Sequence, residues 1–139
     1  MKKLLKILGV LVLILVIVIV GAITYVSKAL PNVAVQPDVN VDITPERVAR
    51  GKYLANSVCV CMDCHSQRDW NTFGAPIKSG VFAAGGEKFD RSMQFPGEFY
   101  SKNITPFALG TWSDGEIYRA ITSGVSKDGH PFFPVMPYP

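Results

Sequence analysis

The chain has 139 residues, enough for one small folded domain, and a formal net charge of +3. Three lysines, Lys2, Lys3 and Lys6, account for that excess, and the other 11 basic residues balance the 11 acidic ones. The remainder of the chain therefore lacks the basic surface that nucleic-acid binding requires, and it lacks the strong field that would attract an acidic substrate.

An apolar segment near the N-terminus predicts a membrane anchor over residues 1–27. Residues 7–26 carry no charge and as a helix would span about 30 Å, the thickness of a bilayer core. A cleaved signal peptide is the alternative, although its apolar region is usually only about 7–15 residues long. Lysines precede the segment and only Lys28 directly follows it, so the positive-inside rule places the N-terminus in the cytoplasm. Everything beyond Ser27 is then on the periplasmic side of the inner membrane.

A linker and then a helix are predicted after the anchor. Residues 28–43 contain Pro31 and Pro37 and show no helical periodicity, which indicates an extended linker. The helix is expected to begin at Pro45, with Thr44 as its N-cap, and to run to about Val58. Its apolar side chains form one face that needs a packing partner; they are Val48, Tyr53, Leu54 and Val58.

The C-terminal half predicts loops and one further helix. Residues 66–101 are rich in glycine without a sustained period, which indicates loops with one helical turn. Ser113 and Glu116 form a capping box that should open a helix ending near Gly124. The buried stripe of that helix is predicted to consist of Ile117, Ala120 and Ile121. Residues 127–139 include four prolines and should form a stiff irregular loop.

The segment Cys61-Met62-Asp63-Cys64-His65 matches C-x-x-C-H, the attachment motif of c-type haem. On a helical turn, residues i, i+3 and i+4 share a face. Both thiols can therefore reach the two vinyl groups of one haem while the imidazole points at the iron. The motif predicts one covalently bound haem c, attached through Cys61 and Cys64, with His65 as an iron ligand.

Three other interpretations of the cysteines remain. A thioredoxin-like dithiol needs its motif at the start of a helix after a strand, whereas here a helix is expected to end at the motif. A zinc site would crowd Cys59, Cys61, Cys64 and His65 into seven residues, although zinc ligands usually come as two separated pairs. A plain disulfide is compatible with an oxidising compartment. Cys59 itself is interpreted as a small buried hydrophobe that could mispair before haem is attached.

The second axial position of the iron has three candidate ligands downstream, His130, Met93 and Met136. Met136 is favoured because prolines on both sides fix its backbone, and Pro137 biases Met136 itself to an extended conformation. A weak thioether ligand needs such a preorganised loop. His130 follows Asp128-Gly129 in a predicted turn and is expected to face solvent.

These residues resemble the membrane-anchored, single-haem class I cytochromes c, including the cytochrome subunits of membrane-bound alcohol, aldehyde and sugar-acid dehydrogenases. The resemblance covers residues 44–139 and implies a small all-α cytochrome c fold with long haem-wrapping loops. It also implies that His65 and Met136 are axial ligands on opposite haem faces, and that the Pro76 carbonyl accepts the other ring N–H of His65. Besides the haem motif, it depends on Arg50-Gly51-Lys52-Tyr53-Leu54, Asn103-Ile104-Thr105-Pro106, Trp112-Ser113-Asp114, Gly124-Val125, Asp128-Gly129 and Met136-Pro137-Tyr138.

The sequence differs from the family pattern at its C-terminus. Family members continue past the methionine loop into a helix that crosses the first one, whereas this sequence ends at Pro139. We therefore expect a truncated sequence, or else a second subunit that covers the helix starting at Pro45.

With both axial positions filled by side chains, the resemblance implies one-electron transfer in a respiratory or dehydrogenase-linked chain, not catalysis. The expected partners are a membrane dehydrogenase or oxidase, with neither a small-molecule substrate nor nucleic acid. One alternative is an enzyme or gas sensor whose iron is five-coordinate because Met136 does not bind. The other is a haem-free interaction module built on zinc or a disulfide.

Overall fold

The N-terminal apolar segment forms a single long helix. In the computed structural model, which describes residues 2–37 and 39–136, helix α1 runs from Lys2 to Ala29 without a buried residue. Its 28 residues correspond to a length of about 42 Å. By length and composition α1 can cross a membrane, as an uncleaved anchor or as a signal sequence.

The chain divides into two compact units. One consists of Met1–Gln36 together with Tyr118–Pro139, and the other is Pro37–Ile117. The cysteine motif and its surroundings belong to the second unit. Helix-rich architecture after one apolar N-terminal helix is compatible with the predicted cytochrome c fold.

The helix predicted to begin at Pro45 is present. Helix α2 spans Pro45–Tyr53, and the Thr44 hydroxyl accepts a 3.3 Å hydrogen bond from the Arg47 N–H, as an N-cap should. The chain continues as a π-helical turn over Leu54–Val58, which the sequence did not predict. The apolar side chains of helix α2 and of the π-helical turn are exposed at several positions, including Val48 in the helix and Val58 in the turn.

The predicted loops of residues 66–101 contain one short helical turn and a short ladder. A 3₁₀ turn covers Arg91–Met93, and strands β1 (Lys88–Phe89) and β2 (Phe99–Tyr100) pair antiparallel. The ring of Phe95 packs edge to face against two other rings: its centroid lies 5.8 Å from that of Phe89 and 6.1 Å from that of Phe99. This hairpin is not part of the all-α prediction, because a two-residue ladder has no readable sequence period.

Two further helices follow the hairpin. Helix α4 is Pro106–Leu109 and helix α5 is Asp114–Ser123. The predicted capping box is confirmed: the Ser113 N–H donates to Glu116 Oε2 at 2.8 Å, and the Glu116 N–H donates to Ser113 Oγ at 3.2 Å. Helix α5 ends at Ser123, and Gly124 directly after it has a φ of +64°, so the helix stops near Gly124 as expected.

The predicted apolar stripe of α5 is wrong. Ile121 is 57% exposed, Ile117 and Ala120 are only partly buried, and the buried side chain is Arg119. Its guanidinium donates to the carbonyls of Val33 (3.0 Å), Ser126 (2.6 Å) and Lys127 (3.1 Å). The irregular segments beside α5 expose backbone acceptors that need donors, so a cation occupies the place expected for an aliphatic side chain.

The region after α5 is an irregular loop, as predicted. A bridge joins Val125 to Pro131, and the Ser126 N–H donates to the His130 carbonyl at 2.8 Å. His130 is exposed, which confirms its predicted position at the surface. Residues 137–139, including the proline after Met136, lie outside the described residues.

Very little apolar surface is buried within the polypeptide. Within residues 2–37 and 39–136, the buried hydrophobic residues are Ala75 and Val125 alone. Large apolar side chains of the second unit stay exposed, among them Trp70, Phe73 and Phe107, the last at 95%. Hydrogen bonds to backbone groups therefore hold the loops in place, and the side chains that would normally form a core face outward.

An ion cluster closes the hairpin between β1 and β2. Lys88 Nζ lies 2.7 Å from Glu98 Oε1 and 3.1 Å from Asp90 Oδ2. The Ser92 hydroxyl and N–H both donate to Asp90 Oδ1, at 2.7 and 2.9 Å. These bonds from Ser92, and then the bond from Lys88, lower the pKa of Asp90 from 3.8 to about 2.

We expect Asp90→Asn to reduce the acid sensitivity of the protein. Because the folded-state pKa is lowered, ionised Asp90 contributes stability above pH 3.8 that is lost as the pH falls toward 2. The measurement is the melting temperature of the full chain in detergent between pH 2 and 5. Asp42→Asn is the control, since the nearest cation, on Arg47, is 3.7 Å away. Equal pH dependence in the two variants would contradict this assignment.

Candidate functional site

The cysteine motif forms its own short helix. Helix α3 spans Cys61–His65, which confirms that the motif lies on a helical turn. It does not end the preceding helix, as the sequence suggested, because Val60 adopts a left-handed conformation with φ +47°. Such a backbone costs a β-branched residue about 1–3 kcal/mol. The chain therefore turns sharply between the π-helical segment and α3.

The thiols of the motif are free. Cys61 is partly buried and Cys64 is exposed as a residue, although neighbouring atoms desolvate its sulfur. Desolvation is the main cause that raises the pKa of Cys61, followed by nearby Cys59; for Cys64 the causes are desolvation and then Asp63. Both groups are neutral thiols at neutral pH.

Cys59 is exposed, so its interpretation as a buried hydrophobe is wrong. It lies after the π-helical turn, and its N–H donates to the Leu54 carbonyl at 2.8 Å. The wider π-helical turn displaces Cys59 from the place that a continuous α-helix would give it. Its thiol is therefore open to solvent beside the motif.

The imidazole of His65 has one nitrogen engaged by the protein. Nδ1 lies 2.7 Å from the Lys102 carbonyl oxygen. Since a carbonyl can only accept, Nδ1 carries a proton, and in the neutral imidazole this leaves the lone pair on Nε2. That tautomer is the one in which Nε2 can bind a metal while a carbonyl orients the ring.

The prediction that the Pro76 carbonyl accepts the ring proton of His65 is wrong in this structure, because the Lys102 carbonyl takes that place. The Pro76 carbonyl accepts from the Asp69 N–H at 2.8 Å, and Lys78 N–H donates to Gln67 O at 2.9 Å. The chain after the motif therefore pairs with residues 76–78, which commits Pro76 to that pairing. The acceptor comes from the residue just before Asn103-Ile104-Thr105-Pro106, a block that the sequence singled out without a role.

Backbone pairing brings Lys102 to His65. The Gly85 N–H donates to the His65 carbonyl at 2.8 Å, the Gly86 N–H to Ser101 O at 2.9 Å, and the Ile104 N–H to Ala83 O at 3.0 Å. Residues 83–86 therefore lie between the end of α3 and residues 101–104. Ser66, fully buried, adds a bond from the Ala83 N–H to its hydroxyl at 2.9 Å.

A polar network that sequence reasoning missed ties α3 to the following loop. Arg68 lies 3.1 Å from Asp63 of the motif and donates to the Ala75 carbonyl at 2.7 Å. The buried Glu87 accepts from the Arg68 N–H at 2.8 Å and from Trp70 Nε1 at 2.6 Å. No local sequence signal joins these residues, because Glu87 is 19 positions from Arg68.

The zinc and disulfide interpretations gain no support from the geometry. Among the residues that the structure describes, no three His, Cys, Asp or Glu side chains converge as a metal site would require. All three cysteines are free thiols.

The three downstream ligand candidates differ in their surroundings, and His130 is exposed. Met136 is partly buried and follows a tight turn in which the Val135 N–H donates to Phe133 O at 2.7 Å. Met93 ends the 3₁₀ turn and is 43% exposed. Met136 as a ligand stays a prediction of the sequence.

Comparison with known proteins finds several relatives, although no family model matches. The gluconate 2-dehydrogenase cytochrome c subunit of Pantoea cypripedii is 36% identical over 95 residues, covering 66% of this chain and 18% of that protein. The fructose dehydrogenase cytochrome subunit of Gluconobacter japonicus is 31% identical over 112 residues, which cover 77% of this chain and 20% of that protein. The cytochrome c subunit of a quinone alcohol dehydrogenase from Gluconobacter oxydans is 30% identical over 97 residues, which cover 66% of this chain and 17% of that protein.

The chain spans about a fifth of the length of these relatives. They share the description of cytochrome subunit, and the chain has a C-x-x-C-H motif on helix α3 whose histidine Nδ1 lies 2.7 Å from the Lys102 carbonyl oxygen. The chain is thus similar to the cytochrome subunits of gluconate, fructose and alcohol dehydrogenases, and this similarity is consistent with a cytochrome c of that class.

Proposed function

We propose that the chain binds one haem c through Cys61, Cys64 and His65 and transfers single electrons at the outer face of the cytoplasmic membrane. The observation that carries this proposal is the contact of His65 Nδ1 with the Lys102 carbonyl oxygen at 2.7 Å; in the neutral imidazole it leaves the lone pair on Nε2 for a metal. The relatives named as cytochrome subunits support the same class of cofactor.

The residues of the motif fit this cofactor chemically. Cys61 and Cys64 are reduced, neutral and three positions apart on one helix, so both can form thioether bonds to a single ring. His65, at the next position, would be the axial ligand. Haem c, when bound, supplies an iron that cycles between two oxidation states by one electron. The exposed apolar side chains of the second unit offer surface that a large apolar cofactor can cover.

Met136 is proposed as the second axial ligand. The argument is from sequence: Pro134 and Pro137 restrict the backbone around Met136, and a thioether favours the reduced state of the iron relative to a second histidine. With both positions occupied by side chains, no site stays open for oxygen or substrate. The five-coordinate enzyme or gas sensor is the competing proposal, and the two differ in their spectra.

The partner is proposed to be a dehydrogenase, from which the chain accepts electrons for delivery to a membrane oxidase or similar acceptor. The relatives are named as subunits of gluconate, fructose and alcohol dehydrogenases. Helix α1 would keep the cytochrome near membrane partners, where the linker sets its effective concentration.

We expect covalent haem to depend on both motif cysteines. Full-length protein, produced in a host with haem-attachment machinery, should show the mass of one added haem and should stain for haem on a denaturing gel. Cys61→Ser with Cys64→Ser should abolish both signals, because no thioether can form. Cys59→Ser is the matched control and should keep the full haem content. A wild-type chain without added mass would overturn the proposed function.

We expect Met136→Ala to convert the iron from low spin to high spin in essentially all molecules, since a methyl group cannot replace the thioether. Optical spectra in both oxidation states, with and without carbon monoxide, measure this. Met93→Ala should leave the spectra unchanged. If Met136→Ala keeps the wild-type low-spin spectrum, Met136 is not the ligand, and carbon monoxide binding to untreated wild-type protein would favour the five-coordinate alternative.

We expect charge reversal at Lys2, Lys3 and Lys6 to impair the proposed orientation. In wild-type spheroplasts, externally added protease should digest the chain beyond Ser27, because positive charge retains the N-terminus in the cytoplasm. Replacing all three lysines with glutamate should increase the protected fraction several-fold. Lys28→Glu, on the other side of α1, is the control. Full protection of the wild-type chain in intact spheroplasts would contradict this orientation.

A further inference from the structure

Gly85 is the residue at which the end of helix α3 meets the segment that orients His65. It is buried, and its N–H donates to the His65 carbonyl at 2.8 Å. Its backbone also lies against residues 101–103, the segment that contains the Lys102 carbonyl. The contact with His65 and the contact with the acceptor segment therefore converge on a single residue.

A side chain at position 85 would collide with backbone. An added Cβ would lie 2.6 Å from Ser101 O, from the Lys102 carbonyl carbon and from Asn103 N. None of these atoms belongs to a flexible side chain that could turn away. Relief requires residue 85 and residues 101–103 to move apart, which would change the position of the Lys102 carbonyl relative to His65 Nδ1.

We propose that Gly85 is a positioning residue for the axial imidazole, because its missing side chain lets the Lys102 carbonyl reach His65 Nδ1. This inference rests on the proposed role of His65 as an iron ligand. With haem bound, this bond would make the ring a better electron donor and would stabilise the oxidised iron. Weakening the bond should therefore raise the reduction potential of the haem-loaded protein. In the haem-free protein, where no iron occupies Nε2, it should free the His65 proton to move to Nε2.

Asn103 provides a second, independent means of testing the same segment. Its Oδ1 accepts from the Thr105 N–H at 2.8 Å and from the Thr105 hydroxyl at 2.6 Å. This turn fixes the chain directly after Lys102. Asn103→Ala removes the acceptor and should loosen the Lys102 carbonyl, whereas Asn103→Asp keeps an acceptor oxygen and should restore the wild-type behaviour.

Two other glycines separate the effect of the collision from the effect of backbone strain. Gly85, Gly86 and Gly80 all have positive φ, at +73°, +86° and +78°. A Cβ at Gly86 would meet only the end of the flexible Gln67 side chain, and one at Gly80 would meet nothing within 4 Å. Alanine at each position carries a similar conformational cost, but only Gly85→Ala displaces the acceptor segment.

The test compares Gly85→Ala, Gly86→Ala and Gly80→Ala in the full chain by two measurements. The first is the reduction potential of the haem-loaded protein, which should rise for Gly85→Ala beyond both controls. The second is ¹⁵N NMR of the His65 ring in haem-free protein, which reads the tautomer without the cofactor. Exchange of the Nδ1 proton should be about tenfold faster in Gly85→Ala than in Gly86→Ala, the factor expected for one lost hydrogen bond.

The outcomes distinguish this inference from the proposed function. Gly85→Ala that matches Gly86→Ala in both potential and proton exchange overturns the positioning role while leaving haem binding intact. Where Gly85→Ala fails to fold, Asn103→Ala against Asn103→Asp decides by the same two measurements, and equal values in that pair also overturn it. A wild-type chain that gains no haem refutes the proposed function, whereas the ring tautomer still tests the contact itself.

Discussion

The hydrogen bond between His65 Nδ1 and the Lys102 carbonyl, 2.7 Å long, is the contact on which the site depends. It places a proton on Nδ1, and in the neutral ring Nε2 is then free to accept a metal. It also joins residues 37 positions apart, so the loop between them must return to α3 accurately. Strands β1 and β2 and the pairing of residues 83–86 with 101–104 perform that return.

The loops around this contact are organised by polar groups. Glu87 and Ser66 are buried and bonded to backbone N–H groups, and Arg68 bridges Asp63 of the motif to the 74–75 turn. Each such bond contributes only about 1 kcal/mol, but leaving a buried partner unpaired costs more. The main effect of the network is therefore to select one arrangement of the loops, and its contribution to the free energy of unfolding is smaller.

Sequence reasoning succeeded where the signal was local. The Thr44 cap, the Ser113 and Glu116 capping box and the helical turn of Cys61–His65 each depend on residues within five positions of one another. It failed where partners are distant: Lys102 replaced Pro76 beside His65, and Arg119 replaced an aliphatic stripe. Those contacts are set by loop pairing and by backbone carbonyls, which carry no side-chain pattern. Met136 has the strongest local motif among the ligand candidates, and it remains a prediction.

The sparse burial of apolar side chains, with Ala75 and Val125 as the buried hydrophobic residues among those described, has a thermal consequence. Apolar exposure is what makes the heat capacity rise on unfolding. The polypeptide's own share of that rise is therefore small, which flattens its curve of stability against temperature. Cooling would therefore reduce the stability of such a chain less than it reduces the stability of a protein with a large hydrophobic core.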